Sequence, residues 1–117
     1  MKWHFSLAVT LSLALAATSA HAGDHAIAGA GSIACAQFMK AEQSQDKITT
    51  LAVVTWLQGF LSGVNMQRNL DLKIPLQVLP SGAQIKAFTV QYCTDHPDKS
   101  VFESAMWLSL QKQPASR

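Results

Sequence analysis

The stretch Trp56–Asn65, "WLQGFLSGVN", sets two glycines four residues apart in the most apolar part of the chain downstream of its first 22 residues. Three readings compete for it, and each implies a different protein. As G-x-x-x-G it would be a membrane dimerisation face, but the run Leu51–Val64 is only 14 residues long and includes Thr55, Gln58 and Ser62. A spanning helix needs roughly 20 apolar residues. As a hydrolase elbow it would need G-x-S-x-G on a turn between strand and helix. In "GFLSG" the serine comes one place late, and no strand-like segment precedes it. The third reading, a core helix of a small all-α protein, is the one the pattern supports.

Working outward, this helix is predicted over Ile48–Gln67, with Asp46 near its start to favour the positive end of the dipole. Val53, Val54, Trp56, Leu57, Phe60, Leu61 and Val64 cover much of its circumference, as expected for the middle helix of a bundle. A narrower stripe is small: Ala52, Thr55, Gly59, Ser62 and Gly63. Each glycine in a helix interior costs about 1 kcal/mol relative to alanine, so Gly59 and Gly63 are expected to admit a closely packed neighbour. The residues assigned to core or close helix packing are therefore Trp56, Gly59, Phe60, Gly63 and Phe88. The same stripe suits a homodimer partner equally well.

On the N-terminal side, Lys2, the apolar run Phe5–Ala17 and "AHA" at Ala20–Ala22 have the order of a secretory signal peptide, expected over residues 1–22. Its removal leaves 95 of the 117 residues, one domain, with eight basic and seven acidic side chains. So small a net charge argues against nucleic acid as a partner. Residues 23–31, "GDHAIAGAG", are expected to be a flexible leader, because the segment is Gly-rich and small. Ser32 is expected to cap a first helix reaching about Glu42, with Cys35, Phe38, Met39 and Glu42 on its buried face. In an exported protein two cysteines point to one disulfide, Cys35–Cys93.

On the C-terminal side, "RNLDLKIPLQVLP" (68–80) has two prolines and a period of two. It is expected to lay Leu70, Leu72, Ile74, Leu76 and Val78 against the core. Ser81 with Gln84 and Ser100 with Glu103 are two capping-box matches, each opening a helix. Between those helices, Asp95, His96 and Asp98 form a solvated turn able to respond to pH. A polar tail, 112–117, follows the domain of 32–111. Cys93-x-x-His96 has metal-ligand spacing, but a disulfide would remove both thiolates, so no metal is expected. No phosphate loop or haem motif is present, so no cofactor and no enzymatic activity are expected either.

These features together resemble the HdeA/HdeB family of small periplasmic acid-stress chaperones. The resemblance rests on the exported chain, "CAQFM" on the first helix, "TWLQGFLSG" on the second and "YCTDHPDKSVFESA" near the end. It implies a bundle of about four helices stapled by Cys35–Cys93, acting in the periplasm on other proteins that unfold in acid. The W-x-x-G-[FY]-x-x-G helix and the late C-x-x-x-P also resemble a group of uncharacterised exported proteins. A looser likeness is to Tai-type immunity proteins, which would imply one specific protein partner, a secreted toxin or enzyme, bound at neutral pH. Acid chemistry is legible without any family. With seven carboxylates protonated and His25 and His96 charged, the 95-residue chain would carry +10, enough for self-repulsion to expand it.

Overall fold

The computed structural model describes residues 27–111, and the signal peptide and polar tail expected from sequence lie outside them. A 3-10 turn, Gly29–Ser32, precedes four helices: α1 Cys35–Gln43, α2 Lys47–Leu72, α3 Gly82–Asp95 and α4 Val101–Leu110. The fold is thus all-α, with no strand among the described residues beyond one isolated antiparallel bridge, Ala34 with Ser100. The long helix α2 packs against α1, α3, α4 and the 3-10 turn.

Three of the helices begin where side-chain chemistry says they should. The Asp46 carboxylate accepts from the backbone N–H groups of Ile48 and Thr49 and caps α2. Ser81 and Gln84 form a complete capping box on α3, and Ser100 and Glu103 another on α4. Each satisfies donors that the first helical turn cannot pair by itself. At its far end α2 runs five residues beyond Gln67, closing at Lys73 in the left-handed conformation (φ 56°). Pro75 follows two residues later, where a helix could not continue.

Helix α1 departs from expectation. Ser32 does not cap it: its hydroxyl donates to the Gly29 carbonyl inside the 3-10 turn. The helix starts three residues later with no side-chain cap. Its first N–H, that of Cys35, donates instead to the Lys99 carbonyl at 2.8 Å, while the Val101 N–H donates to the Ile33 carbonyl at 2.9 Å. The starts of α1 and α4 therefore satisfy each other. Cys35 and Phe38 are fully buried as expected, but Ala41 completes the inner face, and Met39 and Glu42 lie at its margin.

The core gathers Cys35, Phe38, Val53, Leu57, Leu61, Ile85, Tyr92, Cys93, Val101, Ala105 and Leu108. The Cys35–Cys93 disulfide joins α1 to α3 inside it, with Cα atoms 4.9 Å apart.

Residues 27–31 are not a free leader. The Trp56 indole N–H donates to the Ala28 carbonyl at 2.9 Å, and Gly31 is buried beneath the same ring. A Cβ on Gly31 would lie 2.2 Å from Trp56 Cζ2, and Gly29 takes φ 71°, a left-handed turn that favours glycine. Glycines that sequence alone presents as flexibility are here a flat seat for an indole. Gly31→Ala is expected to destabilise the protein by about 1–3 kcal/mol, the usual cost of overpacking. A thermal melt checks this, together with a Trp56 emission change from the undocked ring.

Candidate functional site

The face of α2 turned away from the core is the most distinctive surface of the molecule. Val53, Leu57 and Leu61 recur every four residues and form a narrow buried stripe, with Trp56 and Phe60 half-buried beside it. Trp56 and Phe60 stack at 5.5 Å, and Phe60 meets Phe102 of α4 edge-on. Phe88 is likewise half-buried against the core. These three residues therefore pack as expected.

Gly59 and Gly63 do not. Both are exposed, and apart from the adjoining turns of α2 itself no described atom lies within 4 Å of a Cβ built on either. The small stripe, expected to admit a closely packed neighbour, faces outward. The physical reason is the narrowness of the buried stripe: α1, α3 and α4 are short and cover only one side of a 26-residue helix. Ser62, in the middle of that helix, donates to the Gln58 carbonyl and occupies no nucleophile turn.

Around the glycines the outward face is uncharged, with Thr55 and Ser62 exposed beside Gly59 and bulky apolar residues towards its two ends. Ile48 and Leu51 lie at one end, and Met66 and Leu70 at the other. No Asp, Glu, Lys or Arg occurs between Lys47 and Arg68. Arg68 itself turns inward and donates to the Ser109 carbonyl at 2.9 Å.

The connector after α2 extends this surface. Leu70, Leu72, Ile74, Leu76 and Val78, expected to cover the core, are all exposed, and only Leu79 packs inward. The cause is a pair of asparagines that hold the connector by its backbone. The Asn65 side chain donates to the Gln77 carbonyl (2.7 Å) and accepts from the Gln77 N–H (2.9 Å), and Asn69 donates to the Ile74 carbonyl. The connector therefore runs back along α2, and its alternating apolar side chains are left in solvent. Across α2 and connector, eight bulky residues are between 40 and 83 % exposed. Apolar patches of this extent mark interaction sites. Period-two patterning could not reveal it, because alternation says which side chains share a side and not what that side meets.

At the N-terminal end of α2, Leu51 leads into a groove of about 550 Å³ between the end of α1 and the starts of α2 and α3. Glu42 ties the three elements together there, accepting from the Thr50 hydroxyl and pairing with Lys86 at 2.9 Å. Burial pushes the Glu42 carboxyl up, but the Thr50 hydrogen bond and the Lys86 contact outweigh it and leave the carboxyl below its ordinary value. Glu103 shows the same balance: burial raises it, while the Ser100 cap and Lys99 hold it lower. Asp46 is lowered chiefly by the Thr49 hydroxyl and the backbone N–H groups it caps.

The α3–α4 turn holds Asp95, His96 and Asp98 in solvent. His96 stacks on Tyr92, ring centroids 4.5 Å apart, and its Nδ1 lies 3.0 Å from the Tyr92 carbonyl. A carbonyl only accepts, so Nδ1 carries the proton. Asp95 accepts from Gln91 one turn before it. The acid-sensitive contacts are thus the carboxylates at helix starts, which the capping patterns mark, and Glu42, whose partners are remote in sequence.

Cys35 and Cys93 are both committed to the disulfide. No group of three metal-ligating side chains occurs among the described residues, and no described helix is long and apolar enough to cross a membrane. Compared with protein-family models, curated proteins and solved structures, the chain matches none.

Proposed function

We propose that this is a small exported, non-enzymatic protein that binds other proteins through the apolar surface of α2 and its connector. In this reading it acts in the periplasm, in the manner of the HdeA/HdeB chaperones it resembles, and holds polypeptides that unfold in acid. The observation that carries the proposal is that surface: eight exposed bulky side chains on a scaffold whose helix junctions depend on carboxylates.

The sign of the acid response follows from those carboxylates. Glu42, Asp46 and Glu103 have folded-state pKa values below their ordinary ones. A lowered folded pKa adds stability above the unfolded pKa, near 4, and loses it as pH falls through the folded value. The bundle should be firm at neutral pH and loosen from about pH 5 downward, with the disulfide still holding α1 to α3. Glu42→Gln is expected to destabilise the protein by about 1 kcal/mol at pH 7 and by almost nothing at pH 3. Urea titrations at the two pH values check this.

The function itself is tested by light scattering of an aggregating client near pH 2 to 3, the range of full carboxyl protonation. Suppression of scattering is the expected outcome, and its absence overturns the chaperone reading. A second reading, binding of one secreted toxin or enzyme, is favoured by the apolar surface being open already in the folded form. A pull-down from periplasmic extract at pH 7 and again at pH 3 separates the two. A single partner at pH 7 supports the second reading, and many at pH 3 only support the first.

A further inference from the structure

We propose that the aromatic face shared by α3 and α4 is a binding site for a neutral sugar, with a pyranose ring stacked on the Trp107 indole. The site shares no residue with the surface of α2 and its connector, so it stands or falls apart from the reading above.

The residue that raises the question is Trp107. Helix α4 buries Val101, Ser104, Ala105 and Leu108 and leaves Trp107 56 % and Met106 45 % exposed. One apolar side chain in water needs no explanation, but Trp107 does not stand alone. On α3, Phe88, Tyr92 and His96 recur every four residues and stack with near-parallel planes, their centroids 6.5 and 4.5 Å apart. Two hollows of about 370 and 240 Å³ adjoin this ladder, and Tyr92, His96 and Trp107 line both. The larger by itself falls within the range of about 300–1,000 Å³ usual for small-molecule sites.

The polar groups choose the ligand. Lys99 and Glu103 also line the larger hollow and pair with each other at 3.5 Å, while Gln111 lines the smaller. Asp95 and Asp98 of the adjoining turn line neither. A cation entering the larger hollow would meet Lys99, an anion would meet Glu103, and either would have to break the pair. A hydroxyl meets no such opposition, because it both donates and accepts. It can donate to the Glu103 carboxylate or accept from the Lys99 ammonium with the pair left in place. The His96 Nδ1 is spent on the Tyr92 carbonyl, so in the neutral ring Nε2 is left to accept, and the Gln111 amide offers both functions.

A flat aromatic ligand would stack on Trp107 as well, but it would take these polar groups out of water without pairing them, at a cost in binding. A pyranose supplies both requirements at once. Its C–H face packs on the electron-rich face of the indole, and its hydroxyls ring that face.

The test uses the processed full-length protein at neutral pH. The indole N–H resonances of Trp56 and Trp107 are followed by NMR during titration with maltotriose and, separately, with triacetylchitotriose, two neutral sugars that differ in the acetamido group. A saturable shift of the Trp107 signal with Trp56 unmoved is expected for at least one of them. Calorimetry with that sugar should show binding weakened about tenfold or more by Trp107→Ala, and much less by Trp107→Phe, which keeps a ring. Both variants should retain native helicity, since the side chain lies largely in solvent. Lys99→Met should weaken binding several-fold. A Trp107 signal that neither sugar moves overturns the proposal. So does a site that responds to arginine or hexanoate but not to the sugars, or an affinity indifferent to Trp107→Ala.

Discussion

Replacing both cysteines, Cys35→Ala with Cys93→Ala, is expected to lower stability by about 4 kcal/mol, the chain-entropy value for freeing a closed loop of about 59 residues. The bridge joins positions 58 apart in sequence, and both residues are almost wholly buried. A domain of this size has a total stability of about 5–15 kcal/mol, so the loss is a large share of it. At about 4–8 °C per kcal/mol, the melting midpoint should fall by tens of degrees. The consequence is also local. Helix α1 has nine residues, too short to persist in water alone, and the disulfide is its only covalent tie to the bundle apart from its own chain. Denaturant titrations of the oxidised, reduced and double-alanine proteins check the expectation. Equal midpoints for all three would show that packing alone holds α1.

Phe38→Ala is expected to cost about 3–5 kcal/mol, the sum of lost transfer free energy and the cavity left behind. Phe38 is the largest fully buried side chain and anchors the apolar side of α1 in the core with Val53, Leu57 and Ile85. It lies three positions after Cys35 on the same helix, so the two effects should not add. Once either substitution releases α1, the contacts removed by the other are already gone. A combined variant close to the worse of its parents, measured in urea, would establish that α1 docks as a unit. Full additivity would show that the helix keeps its place when one anchor is lost.

What could be read from sequence divides along a physical line. Caps are local: Ser81 with Gln84, Ser100 with Glu103 and Asp46 at the start of α2 act within one turn, and the structure has each of them. The expectation of an exported chain with two cysteines led to the disulfide without geometry. Helix identity followed from apolar spacing. The failures concern which side of a segment meets the protein and which meets solvent. Alternating Leu70 to Val78 were expected inward but stand outward, because the Asn65 and Asn69 amides hold the connector's backbone across α2. Gly29 and Gly31 promised flexibility but accommodate Trp56, twenty-five residues from the nearer glycine. Gly59 and Gly63 were expected to admit a closely packed helix, of this chain or of a partner, and within the described chain none approaches them. The Glu42 contacts with Thr50 and Lys86 join three elements, and no short motif encodes them.

The uncapped start of α1 bears on the order of events during biogenesis. Its leading amide finds an acceptor only in the Lys99 carbonyl, a residue the ribosome delivers sixty-four positions later. During synthesis the docked start of α1 therefore cannot be completed until the turn between α3 and α4 has emerged. A fragment ending before Lys99 should accordingly lack this anchorage, and hydrogen exchange at the Cys35 amide would report its loss.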